Sequence, residues 1–292
     1  MPPLFREISR QISFALAVLF LLCALPASAQ DLYLTSRNTN AVKRYNAATG
    51  AYISDFVAAN SGGLNAPQEV LFLPDGDLIV TARFNTAIKR YDGTTGAFLG
   101  DFTSGYSLSQ PTKTTLGPDS LLYVSQWGSA QNKVVRFTLA GDFVDEFTDV
   151  GVPQGCGHAW DSSGNFYVAR WGGGNAGEVL RFDTAGNSLG TFVPTGQISG
   201  PVNVFFGAGN RFFVLDWQLG ELSRYDATSG QFIDKPLTQM GNPEGWVFDS
   251  TGFLYITDWT GDRAFKIDTS SWTAVTLITG GGLDAPNSLT FG

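Results

Sequence analysis

Two scarce residue types meet in one short stretch, Gly155-Cys156-Gly157-His158. His158 is the only histidine in 292 residues, and Cys156 is one of two cysteines, the other at position 23. In an extended strand, side chains two apart lie on one face. In contact, a thiol and an imidazole supply a nucleophile with its base, or two metal ligands. No other histidine or cysteine remains to complete a closed zinc site, and i, i+2 placement alone does not bring the imidazole onto the thiol. The competing reading is a hydrogen-bonded core imidazole beside a buried, inert thiol, and the apolar neighbours favour it. Indoles and guanidiniums offer a second chemistry, the recognition of rings and anions, but their meaning depends on the scaffold.

That scaffold is periodic. Pro67, Pro111, Pro153, Pro201, Pro243 and Pro286 are separated by 44, 42, 48, 42 and 43 residues, and each opens a short apolar stretch. A second strand follows, carrying an apolar triplet ("LIV", "LYV", "FYV", "FFV", "LYI"). A polar turn leads to a third strand with a base and an aromatic ("KRYD", "VRFT", "LRFD", "SRYD"), and a Gly-rich turn to a fourth. Alternation broken by Gly, Asp, Asn and Ser marks hairpin-linked strands, not helices. Four antiparallel strands every 40 to 50 residues spell a propeller blade. The expected fold is all-β, a six-bladed β-propeller. Blade 1 is 285–292 plus 31–57, then come blade 2 (66–103), blade 3 (110–148), blade 4 (152–193), blade 5 (200–238) and blade 6 (242–279). The split blade closes the ring and leaves no unpaired edge at the junction.

Repetition sorts scaffold from site. Arg44, Arg90, Arg136, Arg181, Arg224 and Lys266 recur before the aromatic of strand three, and six copies round a ring cannot face one ligand. They are read as paired with neighbouring carboxylates or carbonyls. Trp127, Trp171, Trp217 and Trp259 share the turn after strand two, where blades 1 and 2 carry Arg37 and Arg83. That turn is expected at the channel mouth. The indoles either wedge between blades or form an aromatic rim, with an apolar arc and a cationic arc suited to an acidic, ring-bearing ligand. The residues after the opening prolines, such as Gln68-Glu69, Thr112-Lys113 and Gln154-Gly155, are expected near the same mouth and do not repeat. His158 aligns with Val70, Thr114, Val204, Trp246 and Leu289, and is a candidate ligand contact there. The insertion "GGGNAG" at 172–177 reads as a lid or as a longer turn.

Residues 1–29 read as an export signal, with a basic start at Arg6 and Arg10, an apolar run from Phe14 to Leu25, and Ala27-Ser28-Ala29 before the cut. The remaining 263 residues are expected to be secreted and monomeric. Losing Arg6, Arg10 and Glu7 takes the formal charge from −8 to −9. So acidic a chain, with no basic run, argues against nucleic acid and anionic membrane partners. No second apolar run is long enough to span a membrane. One cysteine allows no intrachain disulfide.

The pattern resembles NHL-type six-bladed propellers, and with them the streptogramin-lyase-like and gluconolactonase-like families, over nearly all of 31–292. The architecture hosts binding modules and enzymes alike. The gluconolactonase-like resemblance implies a divalent cation at the mouth. Pro243-Glu244-Gly245 and Pro286-Asn287-Ser288 resemble its ligand-bearing corners, and Glu69 and Asn203 would complete an oxygen cage for calcium or magnesium. Such an ion would polarise a lactone carbonyl and acidify a bound water. Strict strand alternation turns Glu69 and Asn203 to the face opposite Glu244 and Asn287. The streptogramin lyases use more than one histidine, and this chain has one. The preferred reading is a module binding a small molecule or a protein at the mouth, with a metal-dependent lactonase or related hydrolase as the alternative.

Overall fold

A computed structural model describes residues 30–292. The expected export signal lies outside the described residues. Twenty-four strands form six antiparallel sheets of four, and every sheet but one is built from four consecutive strands. The exception is blade 1, where Leu289–Phe291 pairs with Asp31–Ser36, which pairs with Ala41–Asn46 and then Tyr52–Val57. The register Leu32↔Phe291 and Leu34↔Leu289 closes the ring across the longest sequence separation in the chain. Each opening strand touches the opening strands of both neighbouring blades, so these six strands line the channel. The architecture is the one the repeat predicts.

The triplets form the core. Leu78 and Val80, Leu122 and Val124, Phe166 and Val168, Phe212 and Val214, Leu254 and Ile256 are fully buried, as alternation from one face requires. The intervening Ile79, Tyr123, Tyr167, Phe213 and Tyr255 are buried as well, because each sheet is sandwiched between two neighbours. Strand two is therefore buried on both faces.

The scaffold charges behave as the repeat implies. Arg44 binds Asp31, Arg90 binds Asp75 and Asp77, Arg136 binds Asp119 and Asp145, Arg224 binds Asp234, and Lys266 reaches Asp249 at 3.7 Å. Arg181 has no such carboxylate and lies over Phe192. Asp92 accepts from the Thr95 hydroxyl and the N–H groups of Thr95 and Thr94, and Asp226 from the N–H and hydroxyl of Ser229 and the Thr228 N–H, which hold both carboxyls below the usual range.

One irregularity bears directly on the site. In blades 2 to 6 the register between strands one and two shifts at the mouth end of strand one, between Pro67 and Glu69, for example, and between Pro243 and Trp246. Such a bulge sets two residues against one and breaks the alternation of faces. Consecutive side chains can then both turn towards the channel.

Candidate functional site

The mouth is built in two tiers. The upper tier consists of the turns after strand two. Trp127, Trp171, Trp217 and Trp259 stand in an unbroken arc, with successive ring centres 5.7, 5.6 and 5.6 Å apart and tilted or edge-on contacts. Arg83 continues the arc, its guanidinium 4.5 Å from the Trp127 ring centre, and Arg37 follows in blade 1. Exposed Phe84 lies beneath both guanidiniums. All four indoles are half-buried. Trp171 packs so closely on Gly200 that a Cβ there would lie 2.5 Å from its ring. The indoles thus wedge against the blades and still present a surface to the channel, which joins the two sequence readings. Carboxylates at the end of strand two hold these turns. Asp216 accepts N–H bonds from Ser199, Gly200, Gln218 and Leu219, and Asp258 from Asn242 and Gly261 and from Arg263 Nε.

The lower tier comes from the start of each opening strand: Gln68, Thr112, Cys156, Val202, Glu244 and Asn287. Together with the upper tier these residues line a cavity of about 360 Å³. Sequence spacing puts Gln154-Gly155 at the mouth of blade 4. The register instead matches Gly155 to Pro67, Pro111, Pro201 and Pro243, so Cys156 takes the lining position. The two-residue insertion after Pro153 causes the difference, and aligning His158 with Val70 already contains it.

Lys113, expected near the mouth from its place after Pro111, forms part of the cavity floor while only 2% exposed. Its ammonium donates to the Asn287 carbonyl at 2.9 Å and the Gln68 carbonyl at 3.4 Å. It lies 3.5 Å from Glu69 and 3.6 Å from Glu244. Burial pushes both carboxyls above the usual range, and Lys113 opposes that push. Glu69 also accepts from Ser288 Oγ and the Val70 N–H. Glu244 is only 7% exposed and lines the cavity. The Asn287 amide beside it is committed to Gln68 Oε1, at 3.3 Å, and the Asn287 side-chain oxygen is buried without a partner.

These residues do not fit the divalent-metal site expected from Glu69, Asn203, Glu244 and Asn287. The cationic position between the two carboxylates already belongs to Lys113. Asn203 is committed elsewhere, its amide donating to the Glu244 carbonyl and its oxygen accepting from Trp246 Nε1. Among the described residues no group of three or more His, Cys, Asp or Glu could hold a metal ion. Glu69, contrary to strict alternation, does reach the cluster, because the bulge at Pro67 turns it inward. The Pro243-Glu244-Gly245 corner has a structural reason for its glycine: a Cβ at Gly245 would lie 2.6 Å from the Ser288 backbone.

Cys156 and His158 separate. The Cys156 thiol faces the cavity wall and only the Gln154 carbonyl, at 3.5 Å, and burial pushes it up to about 12. Burial thus favours the neutral thiol over the thiolate. His158 is turned between blades, where its Nδ1 bonds Ser125 Oγ at 2.9 Å, and burial lowers it to about 4. It does not line the cavity. The 172–177 segment is a turn tied sideways to blade 4's outer strand, Ser188–Ile198, through Gly196 N to Asn175 O, and it does not roof the cavity.

No protein-family model and no curated protein matches this sequence. Solved structures do. A chain of the nidogen/laminin complex superposes with a TM-score of 0.74 at 13% identity, over 90% of this chain and 98% of that one. A protein of unknown function from Bacteroides caccae gives 0.70 at 14%, with the same coverage. A catalytically inactive virginiamycin B lyase from Staphylococcus aureus, solved with quinupristin, gives 0.57 at 17%, over 77% and 76%. These likenesses establish the propeller fold.

Proposed function

We propose that this protein is a secreted, monomeric propeller that binds a ring-bearing, acidic ligand at its channel mouth. The observation that carries the reading is the cavity of about 360 Å³ walled by four contiguous indoles and by Arg37 and Arg83, neither of which has a carboxylate within 4 Å among the described residues. Indole faces remove apolar rings from water, and unpaired guanidiniums ask for an anion. Burial, then the neighbouring Arg37, pulls Arg83 below its ordinary value, a strain that a bound anion relieves. The ligand is a small molecule or a projecting side chain of a protein partner. The nidogen/laminin neighbour supports the second form by analogy alone. Secretion rests on the signal-like residues 1–29. Among the described residues no helix is long and apolar enough to cross a membrane.

The lactonase alternative loses its metal to Lys113 and any thiol nucleophile to burial, and His158 lies outside the cavity. The test compares 3-phenylpropionate with 3-phenylpropanol by quenching of tryptophan fluorescence. The acid binds more tightly, and the double variant Arg37→Gln/Arg83→Gln loses that preference while keeping its fold. Equal binding of acid and alcohol by the unaltered protein refutes the cationic arc.

A further inference from the structure

The mouth carries charge of both signs, at different places. Arg37 and Arg83 belong to blades 1 and 2 and stand in the upper tier. Glu244 belongs to blade 6 and lies in the floor below Trp259, whose turn ends the second strand of the same blade. In the floor, the carboxyls of Glu69 and Glu244 share one ammonium, that of Lys113. The two carboxylates are not equivalent. Glu69 is satisfied by Ser288 Oγ and the Val70 N–H and does not line the cavity. Glu244 is more than nine-tenths buried, lines the cavity and has its nearest ammonium only at 3.6 Å. Lys113, which also lines the cavity, is the counter-charge of both carboxylates, but its shortest hydrogen bond goes to the carbonyl of Asn287 and it stands 3.6 Å from Glu244. Asn287, 3% exposed and also lining the cavity, stands beside it. A buried carboxylate open only towards a cavity is costly unless something entering the cavity bonds it.

We infer that Glu244 receives a cationic hydrogen-bond donor from the ligand, which makes the preferred ligand a ring-bearing zwitterion, an amino-carboxylate or a peptide end. Its carboxylate meets Arg37 and Arg83, its ring lies along the indole arc, and its ammonium reaches Glu244 at the floor. The indoles favour passage of an ammonium group, since their faces attract cations. The inference rests on the acidic, ring-bearing reading above and adds the second end of the molecule.

Titration calorimetry with L-phenylalanine, 3-phenylpropionate and phenethylamine separates the two. The full zwitterion binds tightest. Removing the ammonium, as in 3-phenylpropionate, weakens binding about tenfold to a hundredfold, the range of one charge-assisted hydrogen bond. Glu244→Gln removes the advantage of phenylalanine over 3-phenylpropionate. If the two acids bind the unaltered protein equally well, the role of Glu244 is refuted and the acidic-ligand reading survives. If phenethylamine binds as tightly as phenylalanine, the Arg37–Arg83 end is refuted instead. Binding of none of the three overturns both. The comparison on the unaltered protein needs no variant to fold.

Discussion

Replacing Lys113 with Met removes the ammonium of the buried floor while keeping nearly the same volume. At 3.5 and 3.6 Å from Glu69 and Glu244, the ammonium attracts each carboxylate by roughly 5 kcal/mol at an effective dielectric near 20. Most of that gross attraction offsets the desolvation of three buried charges. The net cost of removing one partner is therefore about 3–5 kcal/mol, because the remaining charges are stranded. For a domain of this size that corresponds to a fall in Tm of roughly 10 °C. The loss depends on pH, and its sign is fixed. Both carboxyls are already raised by burial, so their contribution to stability is greatest below the ordinary carboxylate range. It is lost as pH rises through their folded values. Lys113 restrains that rise in proton affinity, and removing it lets both carboxyls hold their protons more tightly still. Every further tenfold gain in a carboxyl's proton affinity on folding costs about 1.4 kcal/mol at a pH above its folded value. Guanidinium unfolding at pH 5 and pH 8 should show the gap between variant and parent widening with pH. A variant within about 1 kcal/mol of the parent at pH 8, or a gap that narrows with pH, would refute Lys113 as the counter-charge and reopen the floor to a metal.

Further outcomes follow from the same geometry. Cys156, 3% exposed and pushed up to about 12, should react with iodoacetamide at pH 8 far more slowly than a free thiol, and guanidinium should restore the ordinary rate. His158 is lowered to about 4, so the stability it supports is present above its unfolded value near 6.5 and is lost as pH falls towards 4. Replacing it with Gln should flatten the acid limb of the unfolding curve between those values, and an unchanged limb would contradict a buried neutral imidazole. Truncation after Ala285 removes Leu289–Phe291 and exposes the edge of Asp31–Ser36. Loss of a single cooperative transition, or oligomers in size-exclusion chromatography, is expected. Trp171→Ala should cost about 2–3 kcal/mol of stability, since the ring is half-buried against Gly200 and two neighbouring indoles, and should weaken ring-bearing ligands most.

The circle of blades is legible in the sequence because its signals are local and repeated: a proline, an apolar triplet, a base before an aromatic. Five weak copies of one pattern reinforce each other, and the split sixth is identified by what each end lacks. The upper tier is legible for the same reason, as Trp127 to Trp259 and Arg37 and Arg83 occupy one position in six equivalent turns. The lower tier is not. Its residues follow the opening prolines, where a bulge in five blades cancels the alternation from which facing is inferred. Nothing in the sequence announces that bulge, so alternation turns Glu69 to the wrong face and hides the pairing of Lys113, placed near the mouth, with Glu69 and Glu244.

Lys113 also shows why residue types alone point to a metal. Two acids and two amides at blade openings around one axis are what an oxygen cage looks like in one dimension, and a cation among them is what electrostatics demands. Whether that cation is an ion or an ammonium depends on one further side chain, placed by the fold 44 residues from Glu69 and 131 from Glu244. A lysine tethered there fixes the charge of the floor permanently, whereas an exchangeable ion would leave Lewis-acid chemistry open at the mouth. With the charge supplied by the chain, Glu244 remains as the carboxylate that faces the cavity, 3.6 Å from the Lys113 ammonium, which is where the proposed ligand ammonium is tested.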